Sequence, residues 1–156
     1  SSKGNGHFIA VPSAVGHDVS IHVTARDKGQ TRTLPPFVFH VRKLPDPTAY
    51  IGLGTNRFRG GGLSKASLMQ ANGIKAAIDD GLLDIEFKVL SFETVFFDNM
   101  GNAVPMASAG SMFSERQRDA FRKLSRNKRF YISRVKAVGP DGITRNLPAS
   151  MEIIVK

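Results

Sequence analysis

The chain has 156 residues, of which 41% are apolar and 22% charged, the profile of a folded globular protein rather than a disordered one. It contains no cysteine, which excludes disulfides, thiol catalysis and Cys-based zinc sites, and no apolar run approaches the roughly 20 residues of a membrane-spanning helix. The formal charge is +9, from 22 Lys and Arg against 13 Asp and Glu, and whether that charge marks a polyanion partner depends on where it lies.

The chain opens Ser1-Ser2-Lys3-Gly4-Asn5-Gly6 without an initiator Met, so it is expected to be a processed product or an excised fragment. Val19, Ile21, Val23 and Ala25 alternate with Ser20, His22 and Thr24, the period-two pattern of a half-buried strand. Phe37, Phe39 and Val41 repeat it, with Val38, His40 and Arg42 on the opposite face. Asp27-Lys28-Gly29-Gln30 is turn chemistry, and Pro35-Pro36 blocks ladder hydrogen bonding ahead of the second strand. A few strands do not make an independent domain, so residues 1–44 read as the C-terminal part of a preceding β domain, completed by other chain.

Leu44-Pro45-Asp46-Pro47 is a stiff, extended connection and the expected boundary between that part and a C-terminal domain, residues 45–156. Gly52 to Gly62 reads as a flexible loop carrying Arg57 and Arg59 around Phe58. A short helix follows, with Ser64 as N-cap and Gly73 as its stop. Asp79-Asp80-Gly81 is a turn. Ile85, Phe87 and Val89 then alternate against Glu86 and Lys88, and apolar residues continue from Phe92 to Phe97 as one long strand or a bulged pair, ended by Asp98-Asn99-Met100-Gly101-Asn102. Ser114 and Gln117 form a capping box that opens a helix running to Ser125 or Arg126. Strands are expected over 130–138, 143–147 and 151–155, the first two joined by the turn Gly139-Pro140-Asp141-Gly142. The fold class is mainly β, a β-sandwich-like (Ig-like) C-terminal domain with one or two short helices, preceded by strands of a partial β domain.

The chemistry-bearing residues are sparse. Lys65 stands near a helix start behind a glycine-rich stretch, as in a phosphate cradle, but neither G-x-x-x-x-G-K-[ST] nor a complete dinucleotide fingerprint is present. All four histidines lie before residue 41; His22 and His40 could share neighbouring strands, yet no third ligand stands at a metal-site spacing. Six carboxylates cluster between Asp79 and Asp98 without a nucleophile motif or an acid/base pair. No cofactor, metal or catalytic residue is assigned. In the helix beginning at Glu115, Ala120, Phe121 and Leu124 fall on one side, while Arg116, Arg118, Arg122, Lys123 and Arg126 spread over the other. Residues 1–78 carry 10 basic and 3 acidic groups, 79–98 carry 1 and 6, and 99–156 carry 11 and 4, a basic chain with an acidic stripe. That pattern suits self-association or a protein partner better than a polyanion track. A basic nucleic-acid-binding module is the alternative, although few aromatics stand beside the cations as stacking would require.

Four segments, in order, resemble the C-terminal region of the GldM/PorM family. Phe39-His40-Val41-Arg42-Lys43-Leu44-Pro45-Asp46-Pro47-Thr48-Ala49-Tyr50 resembles its F-x-V-K-x-[IL]-P-D-P-x-A junction, and Val135 to Arg145 its C-terminal hairpin. Gly61 to Leu68 and Phe87 to Phe92 fall between them in the family's order. The resemblance implies the end of the third periplasmic domain and all of the fourth in a non-enzymatic component of type IX secretion and gliding motility. Such proteins are anchored in the inner membrane with a GldL/PorL-type partner, form homodimers that share strands, and meet GldN/PorN- and GldK/PorK-type ring proteins. From exposure and charge alone, the expected contact residues are Arg57, Phe58, Arg59, Arg116, Arg122 and Arg126; nucleic acid is not expected.

Overall fold

A computed structural model describes residues 1–12, 15–79 and 83–156. The backbone separates into two compact units, Ser1–Leu44 and Pro45–Lys156.

The first unit consists of three antiparallel ribbons. β1 (Ser2–Gly4) pairs with β2 (His7–Phe8), β3 (Asp18–Ile21) with β6 (Phe37–His40), and β4 (Thr24–Asp27) with β5 (Gln30–Thr33). The strand expected over residues 19–25 is thus two, interrupted at His22-Val23, and each half finds a different partner. The turn between β4 and β5 places Lys28 and Gly29 at φ 46° and 80°, the conformation that a two-residue hairpin loop demands. His40 lies opposite Asp18 rather than beside His22, and its Nδ1 is 2.7 Å from the Asp18 carboxylate. Period-two patterning does not produce burial here: Phe37, Val38 and Phe39 are 52%, 59% and 55% exposed. A two-stranded ribbon has no second layer to cover either face.

The C-terminal unit is a β-sandwich-like arrangement built on two long strands. Its elements are β7 (Thr48–Leu53), β8 (Asn56–Phe58), β9 (Gly61–Leu63), α1 (Lys65–Gln70), β10 (Ile74–Asp79), β11 (Asp84–Phe97), β12 (Ala103–Ala109), α2 (Glu115–Lys123), β13 (Arg129–Val138), β14 (Thr144–Leu147) and β15 (Met151–Val155). β11 pairs with β13 along one edge, while its other edge is divided between β10 (residues 84–87) and β12 (residues 91–97). β13 is divided likewise between β15 (129–132) and β14 (135–138). The nine strands are hydrogen-bonded into one branched sheet that curls into two sheet layers sharing β11 and β13: one runs β8-β7-β10-β11-β13-β14, the other β12-β11-β13-β15-β9.

The crossing from one sheet to the other is written into the strands as a change of parity. In β11 the buried positions are Phe87 and Val89, then Phe92, Thr94 and Phe96; in β13 they are Phe130 and Ile132, then Val135 and Ala137. The register shifts between Val89 and Glu93, and Arg134 takes φ 51°, a bulge that bends each strand and re-aims its side chains. The shared interior contains an aromatic cluster. Phe121 of α2 lies 5.0 Å from Phe113, 5.1 Å from Phe130 and 5.7 Å from Phe96, and Phe92 meets Phe113 edge-on at 5.5 Å.

The stretch Gly52 to Gly62 is not a free loop. It forms the β7–β8 hairpin and then β9, which pairs in parallel with β15. Gly73 does not stop α1 either: the C-cap is Ala71, at φ −66° and ψ 130°. Gly73 instead forms a bridge with Met112, where a Cβ would collide with the Ser111 carbonyl oxygen and lie 2.8 Å from the Met112 Cα. The Asp79-Asp80-Gly81 turn lies outside the described residues, apart from Asp79 at the end of β10.

Candidate interaction surface

α2 is positioned by polar contacts at both ends and by Phe121 in the middle. At its start the Ser114 Oγ accepts from the Gln117 N–H and the Gln117 Oε1 accepts from the Ser114 N–H, the capping box expected from the sequence. Gln117 is fully buried, and its Nε2 donates to the Met106 carbonyl at 2.9 Å, which ties the helix to β12. That carbonyl also accepts from the Thr94 hydroxyl at 3.3 Å. At the other end Lys65 Nζ donates to the Arg122 and Leu124 carbonyls at 2.7 and 2.9 Å. The lysine considered for a phosphate cradle thus caps the negative end of a neighbouring helix. α2 ends at Lys123, two or three residues before the expected point.

The outer face of α2 is cationic. Arg116 and Arg122 are exposed on it, and Arg126 is exposed just beyond it. Arg122 is paired with Asp119 and lies 4.0 Å from Glu115, whereas Arg116 and Arg126 form no ion pair among the described residues. The second expected group is carried by a different element. Arg57 and Phe58 belong to β8, the terminal strand of the other sheet, and both are half-buried. The Arg57 guanidinium lies 5.1 Å from the centre of the Tyr50 ring and 3.2 Å from the Asp84 carboxylate. Arg59 is exposed and lines a cleft of about 260 Å³ between residues 46–49 and 147–151.

Among the described residues of the acidic stripe, Asp84, Glu93 and Asp98 are engaged within the domain. Asp84 pairs with Arg57, and Glu93 with Arg134 at 3.3 Å. Asp98 accepts from the Met100 and Asn102 N–H groups and from the Asn102 side chain, contacts that hold its carboxyl below the usual range.

Arg145 is the most heavily committed charge. Its side chain is only 4% exposed, on the inward side of β14. Nη1 and Nη2 form a fork on the Asp141 carboxylate at 3.0 and 2.6 Å, Nη1 also donates to the Ile143 carbonyl, and Nε lies 3.2 Å from Asp46. The guanidinium is 5.2 Å from the centre of the Phe87 ring. The Arg145 hydrogen bonds bring the Asp141 pKa down to about 2, and the carboxylates in turn raise that of Arg145. In the sequence Arg145 stands out only as part of a hairpin motif. The available signal was an arginine at an inward position of a strand, two residues before Leu147 and four after Asp141.

Arg145 thus joins two of the four segments that carry the resemblance, Pro45-Asp46-Pro47 and the 139–145 hairpin. A family model described as the GldM C-terminal domain matches residues 45–156, the whole of the second unit. The chain belongs to the GldM family. No curated protein matches it. As a GldM C-terminal domain it is a component of gliding-motility and type IX secretion machinery, and the family is a structural one. Among the described residues no helix is long and apolar enough to cross a membrane, and no group of three or more His, Asp or Glu stands where it could hold a metal.

Proposed function

We propose that the chain is a non-enzymatic, periplasmic interaction and force-transmitting region of the type IX secretion core. It passes motion from an inner-membrane motor to the outer-membrane-associated ring by binding GldN/PorN- and GldK/PorK-type ring proteins. Residues 1–44 end a third periplasmic domain, 45–156 are the fourth, and the protein is a strand-sharing homodimer. The membrane anchor and the GldL/PorL-type contact belong to sequence preceding this chain.

The observation that carries this reading is the Arg145 clamp inside the family-matched unit. Tension entering at Pro45 meets Asp46, whose carboxylate is held by a buried guanidinium that also grips the β13–β14 hairpin. The load is then shared between β7 and the β13–β14 hairpin, instead of falling on the β7–β10 pairing alone. The bidentate, charge-assisted pair with Asp141 anchors the guanidinium in the hairpin, and the Nε–Asp46 ion pair links it to the junction. The apolar side chains exposed in the first unit fit strands awaiting a partner protomer. The contact residues in this proposal are Arg57, Phe58, Arg59, Arg116, Arg122 and Arg126.

The test is capture of a GldN/PorN-type ring protein by the immobilised chain, together with the chain's mass in solution. Capture and a dimeric mass are expected. Failure of capture overturns ring binding, and a strict monomer overturns strand sharing. Nucleic acid is the competing partner. Several cations that a polyanion would need already face carboxylates, Arg57 with Asp84 and Arg122 with Asp119 among them. Absence of low-salt binding to an oligonucleotide by fluorescence anisotropy removes that alternative.

A further inference from the structure

One end of the C-terminal unit is formed by the β11–β12 turn, residues 98–102, and the connection from α2 to β13, residues 124–128. Asp98 makes the turn rigid, with 2.8 Å bonds from the Met100 and Asn102 N–H groups and a third, at 2.9 Å, from the Asn102 side chain. Held this way, Met100 is 86% exposed at the apex of the turn and Phe97 is 44% exposed at its base. Phe97 stands edge-on to Tyr131 at 6.0 Å. A shallow cleft of about 450 Å³ separates the turn from Leu124, Asn127 and Lys128.

The chain that forms this side of the cleft is strongly basic, and Lys128 and Arg129 line the cleft itself. Residues 120–129 contain five cations and no carboxylate. Two of the five are neutralised locally, Arg122 by Asp119 and Arg129 by Glu152 at 3.2 Å. Lys123, Arg126 and Lys128 are exposed and form no ion pair among the described residues. A fixed apolar knob beside unpaired cations is complementary to a surface of opposite charge with an apolar anchor.

We propose that this end of the domain is the docking site for an acidic segment of a protein partner. An apolar side chain of that segment covers Met100 and Phe97, while its carboxylates face Lys123, Arg126 and Lys128. The proposal rests on the protein-binding reading above and adds the face used and the chemistry of the partner. A nucleic acid fits less well. Met100, the most exposed apolar side chain of the site, offers no plane for a base to stack on.

The probe is a fluorescein-labelled twelve-residue peptide of alternating Glu and Leu, with a Lys-for-Glu peptide and oligothymidylate as controls. The chain carries 13C-methyl methionine, and the Met100 methyl is assigned with Met100→Leu. The acidic peptide is expected to raise anisotropy, shift the Met100 methyl and leave those of the buried or half-buried Met69, Met106 and Met151 in place. Arg126→Glu with Lys128→Glu should weaken binding about tenfold, and Met100→Ser several-fold. Both changes lie on the surface, so an unchanged far-UV spectrum is expected alongside. Binding that leaves the Met100 methyl unmoved, charge reversal without effect, or tighter binding of oligothymidylate than of the peptide overturns the proposal. Capture of the ring protein distinguishes this failure from failure of the broader reading. Retained capture by the Met100→Ser, Lys128→Glu chain overturns this face alone, whereas loss of capture by the unaltered chain overturns ring binding.

Discussion

Phe121→Ala tests whether the cationic helix is held by the aromatic cluster. Phe121 is 1% exposed and sits within 5.0–5.7 Å, ring centre to ring centre, of Phe96, Phe113 and Phe130. Truncating a buried phenylalanine costs about 3–5 kcal/mol, counting both lost transfer energy and the residual cavity. The three ring neighbours come from β11, the segment before α2 and β13. Because strands paired in two sheets cannot close readily over the gap, the loss is placed at about 4 kcal/mol. A domain of this size holds about 5–15 kcal/mol in total, so the variant retains its fold but has a midpoint lower by roughly 15 °C. Urea unfolding followed by the fluorescence of Tyr50 and Tyr131, both in the second unit, gives the difference directly. Arg116→Ala on the outer face of the same helix is the control and should change stability by less than about 0.5 kcal/mol. A loss below about 1.5 kcal/mol for Phe121→Ala, with an unchanged denaturant slope, would refute the view that this ring wedges α2 onto the two sheets.

Three further outcomes follow from named contacts. Gly73→Ala forces a Cβ into the Ser111 carbonyl and should cost about 3 kcal/mol in thermal unfolding, more than the same change at exposed Gly101 despite the positive φ there. Lys65→Met removes the cap on the carbonyl end of α2 and should cost about 1 kcal/mol; an unchanged urea midpoint would show that water replaces the lysine without loss. Asp141 carries a folded-state pKa of about 2 against an ordinary 3.8, so the folded protein binds fewer protons and the associated stability is lost as pH falls from about 4 to about 2. Asp141→Asn should flatten that part of a pH series of unfolding midpoints, leaving the contribution of Asp98, whose shift has the same direction. A series as steep in the variant as in the parent would dissociate the Arg145 clamp from acid sensitivity.

How much of this was legible in advance depended on the range of the interaction. Capping is local, so the Ser114–Gln117 box could be read from four residues. The run from Ile85 to Phe97, by contrast, was legible only as one long strand or a bulged pair, and the fold decides it by the switch from Phe87 and Val89 to Phe92, Thr94 and Phe96. The glycines between Gly52 and Gly62 looked like looseness because flexibility is a property of the unfolded chain, whereas pairing with β7 and β15 depends on partners distant in sequence. Period-two apolar patterning was equally strong in the two units. It produced a core only where α2 and the divided sheets supplied a second layer, and it left Phe37 and Phe39 exposed where they did not.

Charge shows the same division most clearly. Sequence by itself determined the +9 total, the acidic stripe inside it and the family-bearing segments at Pro45 and Gly139. Only the tertiary structure decided which charges are still available. It folds Arg57 onto Tyr50 and Asp84, sends Lys65 to the end of α2, and buries Arg145 between Asp46 and Asp141, while leaving Arg126 and Lys128 exposed to water. The physical reason is that an ion pair or a cap forms between groups brought within a few ångströms of each other, and 57 residues of sequence separate Lys65 from the first carbonyl it caps.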